Sequence, residues 1–184
     1  AQLARVEWAR GEYREAEHRL RKWLPTITAG GDWRGAGFFQ AYLSGVLRDA
    51  GDPAGALDAG RASLESFETI HDRRGTAIAL VFIGAAQRDL GDFDAAARSF
   101  RQSLELVRDF GPQLEIAWAL EQVSAYELRR GRRERADRLG EAAAAIRAGI
   151  GAPLPPGWNL PVRYPPEAAG VLGPLDAIDL ALTD

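Results

Sequence analysis

The chain has 184 residues, 46% of them hydrophobic and 27% charged, enough for one globular core of ordinary soluble composition. Its formal net charge of −3 gives no general attraction to nucleic acid or anionic lipid. It has no cysteine, which excludes disulfides and thiolate metal sites, and no apolar run approaches the roughly 18 residues of a transmembrane helix.

No signal peptide opens the sequence, so the cytoplasm is the expected compartment. Arginine, alanine and glycine are abundant and Lys22 is the single lysine, a bias expected of a GC-rich, bacterial genome. The chain starts at Ala1, contains no methionine, and reaches Gly11 after too short a first helix. A fragment of something longer, or a chain whose start is absent, is expected.

Gly11, Gly51, Gly91 and Gly131 recur at a step of 40 residues, each followed five positions later by Ala16, Ala56, Ala96 and Ala136. A fixed period of this length marks a stacked repeat. The connectors repeat as well, Asp32-Trp33-Arg34-Gly35 matching Asp72-Arg73-Arg74-Gly75. Each repeat reads as helix A, tight turn, helix B. The expected helices span about 2–10, 12–28, 36–50, 53–70, 74–90, 93–109, 113–130 and 133–148.

The turns are clearest at Ala50-Gly51-Asp52-Pro53 and Leu90-Gly91-Asp92-Phe93. Glycine there takes the left-handed conformation that ends helix A, and aspartate caps helix B. Pro53 suits a first helical position, where no amide hydrogen is needed. The turns at Gly11 and Gly131 keep the glycine without the aspartate. The recurring alanine falls where paired helices touch, and its small side chain lets the axes approach to about 8–10 Å.

From Gly149 the pattern changes, and seven of the ten prolines lie beyond it. Trp158, Leu160, Val162 and Tyr164 alternate there, too apolar for a free linker. Leu175, Ile178 and Leu182 fit one face of a short helix begun by Pro174. The division is therefore 1–150 for the repeats and 151–184 for a proline-rich segment. That segment either caps the open end of the last repeat, with Ile178 and Leu182 buried, or docks on another copy or domain.

The turn pattern Gly-Asp-Phe-x-x-Ala, followed by Phe100 and Leu104, resembles the tetratricopeptide repeat, over roughly 2–148. The usual repeat has 34 residues, so about six more lengthen both helices here. Gly60 and Gly140 replace the large residue that Phe100 supplies. The resemblance implies an all-α, right-handed α-solenoid of about four helical hairpins with a C-terminal cap. The long period, the Asp-Arg-Arg-Gly connector and Ile150-Gly-Ala-Pro-Leu-Pro-Pro156 further resemble the C-terminal sensor region of bacterial LuxR-type, signal-transducing (STAND) ATPase transcriptional regulators. The chain has no phosphate-binding Gly-x-x-x-x-Gly-Lys-Ser/Thr loop, so it is not the ATPase part.

In such solenoids helix A lines the concave groove, which implies Phe38, Ala41, Gly45, Arg48 and Asp49 in the second repeat. The third contributes Ile78, Val81, Ala85, Arg88 and Asp89, and the fourth Trp118, Glu121, Ala125, Leu128 and Arg129. Arg48, Arg88 and, one step out of phase, Arg129 would form a ladder able to hold carboxylates bidentately. The plainer account is a solvated Arg-Asp pair that suits a helix C-terminus. The basic patch of Arg129, Arg130, Arg132, Arg133, Arg135 and Arg138 is interleaved with Glu127, Glu134, Asp137 and Glu141, as in a solvated turn.

His18 and His71 have no metal-binding neighbours and receive no role. Trp8, Trp23 and Trp33 cluster near the N-terminal edge, with Trp23 read as packing. No serine has a nucleophile elbow, and no paired acid and base suggest catalysis. The expectation is a non-catalytic binding module without cofactor or metal. Its partner is a protein or peptide segment or a small effector, and it serves signal transduction and transcription regulation beside other domains of a regulator. The alternatives are a free-standing scaffold for protein assembly and, behind it, a nucleic-acid-binding repeat.

Overall fold

The computed structural model describes residues 2–108, 113–152 and 172–183. Among them are α1 (Gln2–Ala9), α2 (Tyr13–Ala29), α3 (Trp33–Asp49), α4 (Pro53–Thr69), α5 (Arg73–Asp89), α6 (Phe93–Arg108), α7 (Gln113–Arg129), α8 (Arg133–Gly149) and α9 (Pro174–Leu182), with no strand. The all-α stack of helical hairpins expected from the sequence is the fold. Two compact units divide within α6, between Ser99 and Phe100. In the first, each helix from α1 to α5 packs on the next, and α5 also reaches back to α3; in the second, α7 pairs with α8 and α9 lies against both.

The backbone repeats at half the period of the sequence. Gly11, Gly31, Gly51, His71, Gly91, Gly131 and Gly151 all have positive φ. Both kinds of turn, within a hairpin and between hairpins, are therefore the same turn. At each, the amide two residues past the helix cap closes on a carbonyl five back: Asp32 on Ile27 at 3.2 Å, Asp52 on Leu47 at 2.8 Å, Asp72 on Phe67 and Asp92 on Gln87 at 2.9 Å.

The same aspartates then start the next helix. Their side chains accept from the amides of Gly35 at 2.8 Å, Gly55 at 2.9 Å, Gly75 at 3.0 Å and Ala95 at 3.0 Å. One residue thus closes a helix and opens another. This corrects the expected start of α3: Asp-Trp-Arg-Gly is the cap and first turn, so the helix begins at Trp33 and not at 36. Glu12 and Arg132 offer no side-chain cap, and Pro53 stands in the first turn of α4, both as expected.

Ala16, Ala56, Ala96 and Ala136 are completely buried. The Ser44 hydroxyl donates to the Ala56 carbonyl, and Ser124 to Ala136, both at 2.7 Å, so each pair pins helix A to helix B. Where large residues are missing, neighbours fill in. A β-carbon on Gly60 would come within 2.9 Å of Ile83. The buried Phe67 ring lies over two glycine backbones, with a β-carbon falling 2.8 Å from it at Gly37 and 2.1 Å at Gly75.

Trp23 is a correction: it is 50% exposed, not packed. Its repeat partners Ser63, Ser103 and Ala143 are buried. Ser63 donates to Gly37, 26 residues earlier at the start of α3, over 2.8 Å.

In the tail, Trp158, Leu160, Val162 and Tyr164 lie outside the described residues. Helix α9 buries Ala177 and Ile178 completely, but Leu175 is 55% exposed and Leu182 only half-buried, against the expectation for Leu182. The buried face centres on Ala177 and Ile178, and both leucines sit roughly a quarter-turn round from it.

A candidate binding face on the first unit

The step that brings Arg48 under Arg88 is structural. Helices α3 and α5 have identical length and the same aspartate N-cap, so residues 40 apart occupy equivalent places. At their C-terminal ends the Arg48 guanidinium donates to Asp49 through Nε at 3.0 Å and a terminal nitrogen at 2.7 Å. Arg88 does the same to Asp89, at 2.9 and 3.3 Å. Arg48 Nε also stands 4.0 Å from Asp89, which links the two pairs.

The first repeat completes the row in a way not expected. Trp8 stands 40 residues before Arg48. Its indole N–H donates to the other oxygen of Asp49 at 2.8 Å. Gly45 permits this, because a β-carbon there would fall 2.4 Å from the Trp8 ring. The indole also meets Phe82 at 6.4 Å between centroids. The 40-residue step puts Trp8 in register with Arg48, a relation obscured by the nearness of Trp8, Trp23 and Trp33 in sequence.

The row therefore reads Trp8, Asp49, Arg48, Asp89, Arg88, with alternating charge and small net charge. Three of its charged side chains are largely buried, Arg48 at 12%, Arg88 at 9% and Asp49 at 7% exposure, while Asp89 is 27% exposed. The internal pairing of the plainer account is present, with Arg48, Arg88 and Asp49 less solvated than it expects. Beside the row, Phe38 packs edge-on against Phe67 at 5.1 Å and stacks with Tyr42 at 6.3 Å, and Arg5 lies 5.5 Å over the Tyr42 ring. Ala41, Gly45, Ile78, Val81 and Ala85 are buried.

The fourth-repeat residues belong to the second unit. Trp118 and Leu128 are half-buried, Ala125 is buried and Arg129 is exposed. Glu121 is buried and paired with Arg147 of α8, through Oε1 to Nε and through Oε2 to a terminal nitrogen at 2.9 Å. Burial pushes the Glu121 carboxyl above its ordinary pKa, against the opposing pull of the Arg147 guanidinium.

The basic patch is largely held within the chain. Arg132 and Arg135 pair with the buried Glu127 at 3.4 and 3.0 Å, Arg133 with Asp137 at 3.4 Å, and Arg130 with the Tyr126 hydroxyl at 3.0 Å. His18 is exposed and His71 occupies a turn. Among the described residues no group of histidines and carboxylates is arranged to hold a metal ion, and no helix is long and apolar enough to cross a membrane.

Residues 38–109 match the family model described as tetratricopeptide repeat. No curated protein and no solved structure matches the chain.

Proposed function

We propose, for a chain whose residues 38–109 match the tetratricopeptide repeat, that the helix-A face of the first unit binds a protein or peptide segment, or a small effector, through Phe38, Arg48, Asp49, Ile78, Arg88 and Asp89, while Trp118 and Arg129 lie on the helix A of the second unit. Repeats of this family mediate protein–protein contact, which supports a non-catalytic binding role. The observation that carries the reading is the Arg48-Asp49 and Arg88-Asp89 pair of pairs, kept at a step of one repeat and joined by Arg48 to Asp89. A ligand carboxylate at this row would compete with Asp49 and Asp89 for the guanidinium forks of Arg48 and Arg88.

In this reading residues 1–150 are the repeat domain and 151–184 its capping segment. The region serves as the sensor or interaction part of a larger bacterial transcriptional regulator in the cytoplasm, with other domains of that protein as partners. The free-standing scaffold is the alternative, and an upstream ATPase or DNA-binding segment in the same reading frame decides between them. A nucleic-acid role has less support, since four of the six arginines of the basic patch are paired with Glu127, Asp137 or Tyr126.

The test is calorimetry with a library of acidic peptides, each with free and amidated C-terminus. Arg48→Lys and Arg88→Lys keep the charge and remove the fork. The reading expects both to weaken whatever peptide the parent binds by about tenfold, corresponding to loss of one good polar contact. Normal binding by both variants rejects the row as the site.

A further inference from the structure

Arg5 differs from the arginines of the row in what holds it. It stands on α1 three residues before Trp8, on the same side of that helix. The 40-residue step puts it in register with Gly45, Ala85 and Ala125, so the first repeat carries a long cation where the others have a small residue. Arg5 is exposed, and its guanidinium carbon lies 5.5 Å from the centroid of the Tyr42 ring. Among the described residues no carboxylate stands within ion-pair distance of it.

The forks of Arg48 and Arg88 are committed to Asp49 and Asp89. A ligand carboxylate at either must displace an aspartate of the chain, whereas at Arg5 it displaces water. Attraction to a ring face balances the charge of a guanidinium and leaves its N–H donors open. Those donors form the planar fork that fits a carboxylate bidentately.

The surroundings of Arg5 are fixed in advance. Trp8, fitted over Gly45 and bonded to Asp49 at 2.8 Å, sets α1 against α3 one helical turn from Arg5. Tyr42 stacks with Phe38 at 6.3 Å, and Phe38 meets the buried Phe67 edge-on at 5.1 Å. Phe38 and Tyr42 are only half-buried, so an apolar shoulder stays open beside the cation.

From this geometry we infer that Arg5, carried on the Tyr42 ring, is a specificity-determining residue of the helix-A face. It receives a carboxylate of the bound segment, and Phe38 and Tyr42 take the apolar side chain next to that carboxylate. The inference rests on the binding face proposed above and gives that face the open fork its row lacks.

The probe is N-acetyl-Phe-Asp-amide, with N-acetyl-Phe-Asn-amide as the uncharged control. Arginine Nε–H signals of the nitrogen-15-labelled chain are followed by NMR, with Arg5 assigned by the loss of its signal in Arg5→Lys. The Arg5 signal is expected to shift saturably with the Asp peptide and not with the Asn peptide. Arg5→Lys keeps the charge and Tyr42→Leu removes the ring, and each is expected to weaken binding about tenfold, read from the backbone amides of α1. Arg5 is exposed, so Arg5→Lys is expected to keep the parent thermal midpoint. If Arg48 or Arg88 responds to the Asp peptide and Arg5 does not, the inference is wrong while the binding face stands. If no arginine signal moves, both fail. An equal response of Arg5 to the Asn peptide, or unchanged affinity in both variants, also overturns the inference.

Discussion

Glu121 and Arg147 form a buried ion pair between α7 and α8 at the two positions that Ala41 and Phe67 hold 80 residues earlier. Both side chains are 7% exposed. The fold therefore has no need of charge there, since an alanine and a phenylalanine serve in the second repeat. Removing one partner strands the other in a dry site. Glu121→Ala is expected to lower stability by about 3–5 kcal/mol, and Glu121→Ala with Arg147→Phe to recover all but roughly 1 kcal/mol of it. Urea unfolding of the three proteins checks this, and a double variant no better than the single one refutes the equivalence of the repeats.

The same carboxyl gives a pH prediction. Burial raises the pKa of Glu121 in the folded chain, so the folded state holds its proton more tightly than the unfolded state. Its contribution to stability is complete below the ordinary carboxylate value and is lost as pH rises through the folded pKa. Glu121→Gln is expected to remove that downward component from the stability–pH curve above about pH 4.5. Parallel curves for parent and variant count against a raised carboxyl.

Phe67 leaves no room at Gly75. Alanine gains about 1 kcal/mol over glycine in helix propensity, but its β-carbon would fall 2.1 Å from the ring. Gly75→Ala is expected to destabilise by about 1–3 kcal/mol through overpacking. In a Phe67→Leu background the same change is expected to cost less, and a double-mutant cycle with no coupling is the contrary outcome.

His71 holds φ 54 where glycine stands at six equivalent turns. A side chain there costs roughly 1–2 kcal/mol, part of which glycine returns through the entropy of the unfolded chain. His71→Gly is therefore expected to raise stability by about 0.5–1 kcal/mol, seen as a higher thermal midpoint. A lower midpoint shows that the histidine makes a compensating contact.

Arg48→Ala would be nearly silent as a surface change, but its burial against Asp49 makes it otherwise. With the Trp8 indole still donating to Asp49 but the guanidinium gone, the variant is expected to lose about 1–3 kcal/mol. Arg48→Lys keeps the charge and is expected to lose less. Chemical denaturation separates this cost from any effect on ligand affinity, and equal stability of parent and Arg48→Ala shows that Asp49 does not need the guanidinium.

The 40-residue step, the turn glycines, the capping aspartates and the fully buried alanines were all legible in the sequence, because each is a local demand. Left-handed φ calls for glycine, a free helix N-terminus calls for aspartate, and a close helix crossing calls for alanine. The helical hairpins and most boundaries among the described residues follow from those demands. The halved period of the backbone was hidden, because His71 and the Asp-x-x-Gly connector disguise turns that are geometrically the same.

Which polar residues are buried was decided by tertiary structure alone. Nothing local distinguishes Arg48 from Arg61, or Glu121 from Glu105, until the helices pack. Arg48 then lies between Asp49 and Asp89, with Trp8 on the other side of Asp49, and Glu121 faces Arg147 across a hairpin. The exposure of Trp23 and Leu175 has the same origin. Their side chains are as apolar as those in the core, but burial needs a facing surface, and a sequence pattern specifies only the face that a helix presents.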